Sequence, residues 1–137
     1  MKKFMLLTIG CLILNLQIFT QPAAETEIQQ IAKRITYSIV NQTGGYLFES
    51  RGLEPGQTVF VGYSVGVSTN YTFDLVRVAI QNVMNQEPDA TLIEPWTLKE
   101  WRYCVKYDIL KKYTLIISYP LDNTRVNMIM ISLGKKV

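Results

Sequence analysis

From residue 35 onward, apolar positions recur mainly at every second residue, the period of a strand with one buried face. Ile35, Tyr37 and Ile39 alternate with Thr36 and Ser38. Residues 41–45, Asn-Gln-Thr-Gly-Gly, tolerate positive φ and predict a turn, with a return strand over residues 46–48. Glu54, Pro55, Gly56 and Gln57 have the Pro and Gly placement of a type II turn, and residues 58–63 read as the next strand. The long apolar-rich run 71–83 reads as a strand buried on both faces, with Phe73, Leu75 and Ala79 on one and Val76, Val78 and Ile80 on the other. A turn cluster at 85–89 precedes a short strand at 90–93, which Pro95 ends. Trp101, Tyr103, Val105 and Tyr107 then alternate with Arg102, Cys104 and Lys106. Runs 113–119 and 126–133 close the series, with a turn at 120–123 between them. The pattern predicts an all-β fold, a single antiparallel β-sandwich of about seven or eight strands.

Two stretches break the period. Residues 25–34 place Glu25 and Glu27 first and Lys33 and Arg34 last, with Ile28, Ile31 and Ala32 on one stripe. That order suits a short N-terminal helix, although a terminal strand extension remains open. Before it, Lys2 and Lys3 precede an apolar run over residues 4–19, followed by small Ala23 and Ala24. Charged, apolar and small regions in that order predict a secretory signal peptide over residues 1–24. The run is short of the about 20 apolar residues of a membrane span. An uncleaved anchor, or a lipoprotein leader ending at Cys11, are the rival readings. The expected mature chain is one domain, residues 25–137, secreted or periplasmic.

Composition narrows the chemistry. The formal net charge is +3, of which Lys2 and Lys3 supply two, so the domain is near neutral and lacks the basic stripe of a nucleic-acid binder. Cys104 has no second cysteine beyond the leader, which excludes an internal disulfide in the domain and suggests a buried thiol on a strand. The chain contains no histidine, so neither Ser-His-Asp nor Cys-His catalysis can be assembled. We expect no enzyme, no cofactor, no metal and no nucleic-acid partner. Glu94 and Glu100 flank one loop, an arrangement glycosidases use, but unsupported they read as surface acids. Asp74 reads as a structural ion-pair partner of Arg77 or Arg102, and Asn41 and Asn70 open N-x-T sequons.

The remaining signal is an aromatic cluster, Trp96, Trp101, Tyr103, Tyr107, Tyr113 and Tyr119, interleaved with Lys99, Arg102, Lys106, Lys111 and Lys112. Aromatic and basic side chains together suit a lipid head-group surface. Segment 95–101 reads as a loop, with Trp96 its most exposed aromatic. Ile39-Val-Asn-Gln-Thr-Gly-Gly45, Leu53-Glu-Pro-Gly56, Phe73-Asp-Leu75, Pro95-Trp96 and the strand 101–107 follow in an order that resembles the actinoporin-like and aegerolysin-like β-sandwich proteins. The resemblance implies lipid head-group binding, sometimes within a pore, with Trp96, Trp101 and Tyr103 as contacts by position. Helix 25–34 is too short to cross a bilayer, which argues against pore formation by this chain alone. We therefore expect a non-enzymatic binding module that contacts a membrane lipid surface through Trp96, Trp101, Arg102 and Tyr103. The alternative is a module that binds another protein, as an inhibitor or an envelope-assembly subunit.

Overall fold

The apolar residues of segment 27–43 satisfy a helical period over more than four turns. Ile28, Ile31, Ala32, Ile35, Thr36, Ile39 and Thr43 are all buried, and the computed structural model, which describes residues 24–121 and 127–137, forms one helix there, α1 (Glu27–Thr43). Thr26 opens it with a capping box. Its hydroxyl accepts from the Gln29 N–H, and the Gln29 side chain accepts from the Thr26 N–H. Gly44 closes the helix in the left-handed region at φ 65. The expected strand at 35–39 is therefore the second half of α1. Ile35 and Ile39 fit both periods, and the buried series beginning at Ile28 decides for the helix.

Strands β1 (Tyr46–Arg51) and β2 (Phe60–Val67) follow, then helix α2 (Phe73–Asn85), then β3 (Ala90–Lys99), β4 (Arg102–Ile109), β5 (Tyr113–Pro120) and β6 (Asn127–Lys135). Helix α2 replaces the expected strand at 71–83. Its buried residues, Val76, Ala79, Ile80, Val83 and Met84, recur at helical spacing, and Thr72 caps it by accepting from the Leu75 N–H. The expected type II turn is present: Gly56 lies at φ 80, and the Gln57 N–H donates to the Glu54 carbonyl.

All strand pairs are antiparallel, in the order β1-β2-β6-β5-β4-β3. The β-rich antiparallel character is as expected from the sequence; the architecture differs. Among the described residues there is one six-stranded sheet, and the layer that faces it is helical rather than a second sheet. The short helix expected over 25–34 is present and runs on through the expected strand 35–39, and with α2, which replaces the strand expected at 71–83, it supplies that layer. The leader expected over residues 1–24 falls on residues outside the described ones, apart from Ala24.

Alternation along the strands assigns the faces. Val61, Tyr63, Val65, Leu115, Ile117, Tyr119, Ile129, Ile131 and Leu133 point to the helices and are buried. Gly62, Ser64, Cys104, Lys106, Ile116, Met130 and Ser132 share the opposite face, which no helix among the described residues covers. Helix α1 lies over β2 and β6. Helix α2 packs beside it, joined by Arg34, whose guanidinium donates to both Glu87 carboxylate oxygens at 3.0 and 2.8 Å.

Candidate functional site: the β3–β4 hairpin

The segment expected to be a loop, 95–101, is mostly strand. β3 runs through Pro95 and Trp96 to Lys99 with two register shifts, one between Leu92 and Glu94 and one between Glu94 and Thr97. An edge position tolerates the missing Pro95 N–H, which is why proline does not end the strand here. The chain reverses at Glu100 and Trp101, between the paired residues Lys99 and Arg102. Glu100 sits in the left-handed region at φ 57.

The four residues expected to bind ligand go to three places. Trp96 is half-buried, with its ring edge-on to Phe73 at 5.3 Å and 82°. Tyr103 is half-buried and stacks on the other side of the cluster, 3.8 Å from Phe73 at 16°. The expectation that Trp96 is exposed is thus corrected: the first turn of α2 brings Phe73 onto it. Arg102 lies on the helix-free face, where its guanidinium donates to the Ser118 hydroxyl at 2.9 Å and the Met128 carbonyl at 3.2 Å. Burial pulls it below the usual arginine value. No carboxylate among the described residues pairs with it. Trp101 stands at the hairpin tip and is 76% exposed.

Two apolar neighbours of Trp101 had no separate signal in the sequence. Leu98 is 49% exposed at the end of β3 before the reversal, and Leu121 is 40% exposed where the chain leaves β5. The Leu121 N–H donates to the Trp101 carbonyl at 2.8 Å, which pins that exit against the tip. The tip therefore exposes Trp101 and Leu121, with Leu98 on the helix side of the hairpin and Lys99 on the opposite side. Phe73 was also missed, because the run 71–83 read as a strand. The signal that finds it is Thr72 followed by Asp74, a helix cap and an acid in the first turn.

The other candidates resolve as structural. Glu94 pairs with Lys99 at 3.0 Å and Lys106 at 3.7 Å. The Lys99 hydrogen bond, then the Lys106 charge, hold its carboxyl below the ordinary value. A general acid needs the reverse shift. Asp74 pairs with Arg77 at 3.6 Å, not with Arg102. Cys104 is half-exposed on β4, opposite Thr97 and Ser118, rather than buried. Asn41 is exposed in the last turn of α1, and Asn70 is exposed between β2 and α2. Among the described residues, no three His, Cys, Asp or Glu side chains group as metal ligands, and no helix is long and apolar enough to cross a membrane.

Beside the aromatic cluster, a groove of about 340 Å³ runs between α2 and β3, lined by Arg77, Gln81, Met84, Leu92, Trp96 and Tyr107. Burial raises the Tyr107 hydroxyl above the ordinary tyrosine value. No protein-family model, curated protein or solved structure matches this chain.

Proposed function

We propose that this protein is an exported, non-enzymatic binding module that contacts lipid head groups through the tip of the β3–β4 hairpin. The observation that carries the reading is the exposure of Trp101 at a chain reversal, flanked by Leu98, Leu121 and Lys99. An indole with an apolar body and one N–H donor sits well at a water–lipid boundary. Arg102 next to it, which no carboxylate among the described residues pairs, supplies a cation for phosphate, and Lys99 supplies a second by leaving its exposed pair with Glu94. Trp96 and Tyr103 have the supporting part: with Phe73 they stiffen the base of the hairpin.

The test uses residues 24–137 with Trp96→Phe, so that Trp101 is the remaining tryptophan. Co-sedimentation with phosphatidylcholine vesicles, with and without phosphatidylserine or sphingomyelin, is read together with tryptophan emission. Binding with a blue shift supports the reading. Removing a Trp side chain from an apolar contact costs about 1.5–3 kcal/mol, so Trp101→Ala weakens binding roughly 10- to 100-fold. Binding that survives Trp101→Ala, or no binding to any composition, overturns it.

A second reading, a module that binds another protein, has its own support in the α2–β3 groove. Leu92 is exposed on its wall, and an apolar segment of a partner would find Trp96 and Tyr107 there. Leu92→Lys blocks that partner and leaves lipid binding unchanged.

A further inference from the structure

The sheet ends in two edges, β1 and β3, and they differ. β3 is interrupted by Pro95 and two register shifts, devices that blunt an edge against pairing. β1 has one shift, between Leu47 and Glu49, after which Glu49, Ser50 and Arg51 pair regularly with Ser64, Tyr63 and Gly62. All six residues of β1 are exposed, with Tyr46 at 53% and Phe48 at 61%. Glu49 and Arg51 both project from the helix-free face, two residues and so about 7 Å apart. Among the described residues neither enters an ion pair.

We propose that β1 is the interface of a symmetric dimer, in which β1 of a second copy of this chain adds antiparallel to it and the two sheets become one. Residues directly opposite in an antiparallel pair share a face and come within about 5 Å. A pairing centred on Ser50 sets Glu49 of each copy opposite Arg51 of the other, and the two-fold axis repeats the ion pair. Charge selects this register over its neighbours. Centring on Glu49 sets glutamate against glutamate, and centring on Arg51 sets arginine against arginine. A slip by one residue turns the second copy over and separates the charges to opposite faces. The opposite charges on one exposed strand thus fit its own copy, antiparallel, as partner.

The inference is independent of the lipid reading, because neither charge lies on the hairpin tip. Sedimentation velocity of the protein and of two charge reversals tests it. The parent is expected to sediment as a dimer at micromolar concentration. Glu49→Lys and Arg51→Glu each set like charges opposite one another, and each is expected to weaken association at least tenfold. An equimolar mixture of the two variants restores opposite charge at both positions and re-forms a dimer, which also shows that neither variant is misfolded. A parent that stays monomeric at roughly 100 μM, well above the dissociation constant of a specific pair, overturns the proposal. So do single variants that still dimerise, or a mixture that does not.

Discussion

Tyr113 is buried on β5, and its hydroxyl donates to Glu27 Oε1 at 2.6 Å, tying the first turn of α1 to the sheet. Lys112 joins the same carboxylate at 3.2 Å. Burial first, and then the Glu27 carboxylate, push the Tyr113 hydroxyl from 10.0 up to about 12. Glu27 moves the other way: the Tyr113 hydrogen bond and Lys112 hold it below its ordinary value. A tyrosine raised in the folded state favours its neutral form there. Its contribution is therefore complete below pH 10 and lost as pH rises from 10.0 through about 12. Glu27 contributes above its unfolded value and loses that contribution as pH falls through the lower folded one. Tyr113→Phe is accordingly expected to lower the urea midpoint at neutral pH and to remove part of the loss of stability between pH 10 and 12. Urea titrations of both proteins at pH 7, 10 and 12 check this; parallel losses in the two would mean that Tyr113 is not the titrating group. Asn127 is the second residue to watch. It is fully buried, and its side-chain amide donates to the Ser68 and Tyr71 carbonyls at 3.2 and 3.5 Å, while Tyr119 donates to the Tyr71 carbonyl at 2.8 Å. These bonds hold the loop that leads into α2 and so place Phe73. Asn127→Ala removes two hydrogen bonds to carbonyls that keep the Tyr71 N–H and the Tyr119 hydroxyl as donors, and is expected to cost about 1–3 kcal/mol by urea unfolding. A loss within about 0.5 kcal/mol, typical of surface changes, would show that the loop holds itself.

At the scale of elements, strands β2 and β4 to β6 were legible because alternation dominates where one face is buried and the other is not. The helices were legible only in part: residues 25–34 were expected to be helical, whereas 35–43 and all of α2 were not, and for a shared physical reason. Both are rich in Ile and Val, whose branched side chains favour strands by propensity, so tertiary packing had to override the local preference. In α1 the override was visible in the Ile28, Ile31, Ala32 stripe continuing to Ile35 and Ile39; in α2 it was visible in Val76, Ala79, Ile80 and Val83. Of the candidate site, the sequence identified Trp101 as one of the aromatics, but not its difference from Trp96. That difference depends on Phe73, 23 residues earlier, and on a hairpin reversal carried by Glu100 rather than by a glycine. Turns without their usual residues also appear between β4 and β5. Leu110 and Lys111 both lie in the left-handed region, at φ 56 and 58, and the Asp108 carboxylate accepts from the Lys111 N–H at 3.1 Å to hold them there. A left-handed residue with a Cβ costs roughly 1–2 kcal/mol, which glycine avoids while losing more entropy on folding. Lys111→Gly is therefore expected to stabilise the protein by up to roughly 1 kcal/mol. Leu110→Gly is expected to destabilise it, because Leu110 also packs on the core. Thermal melts of the two variants give opposite signs if the turn is strained as described, and the same sign if it is not.

Over the whole molecule, the widths of the two layers do not match. Six strands spaced about 4.8 Å apart span about 24 Å, whereas two helices packed 8–10 Å apart cover only about 20 Å. The shortfall appears at both edges of the helix-covered face. On one side a groove of about 500 Å³ lies beside α1 and β1, bordered by Tyr37, Leu47 and Leu53; on the other lies the α2–β3 groove with Leu92 on its wall. The central strands β2, β6 and β5 are paired on both sides and carry the largest buried side chains, so they open only when the whole domain unfolds. The edges are expected to open first, but not alike. β3 carries two register shifts and exchanges its amide hydrogens quickly at any protein concentration. β1, with the opposite charges of Glu49 and Arg51 on one face, exchanges quickly only while the chain is monomeric and slowly once a second copy pairs with it. Hydrogen–deuterium exchange at two protein concentrations, about 1 μM and about 100 μM, separates the two edges: protection of residues 46–51 rises with concentration, and that of residues 90–99 does not. If both edges exchange alike at both concentrations, the apolar exposure along β1 is not a site of self-pairing, and the asymmetry of the two edges has no consequence for assembly.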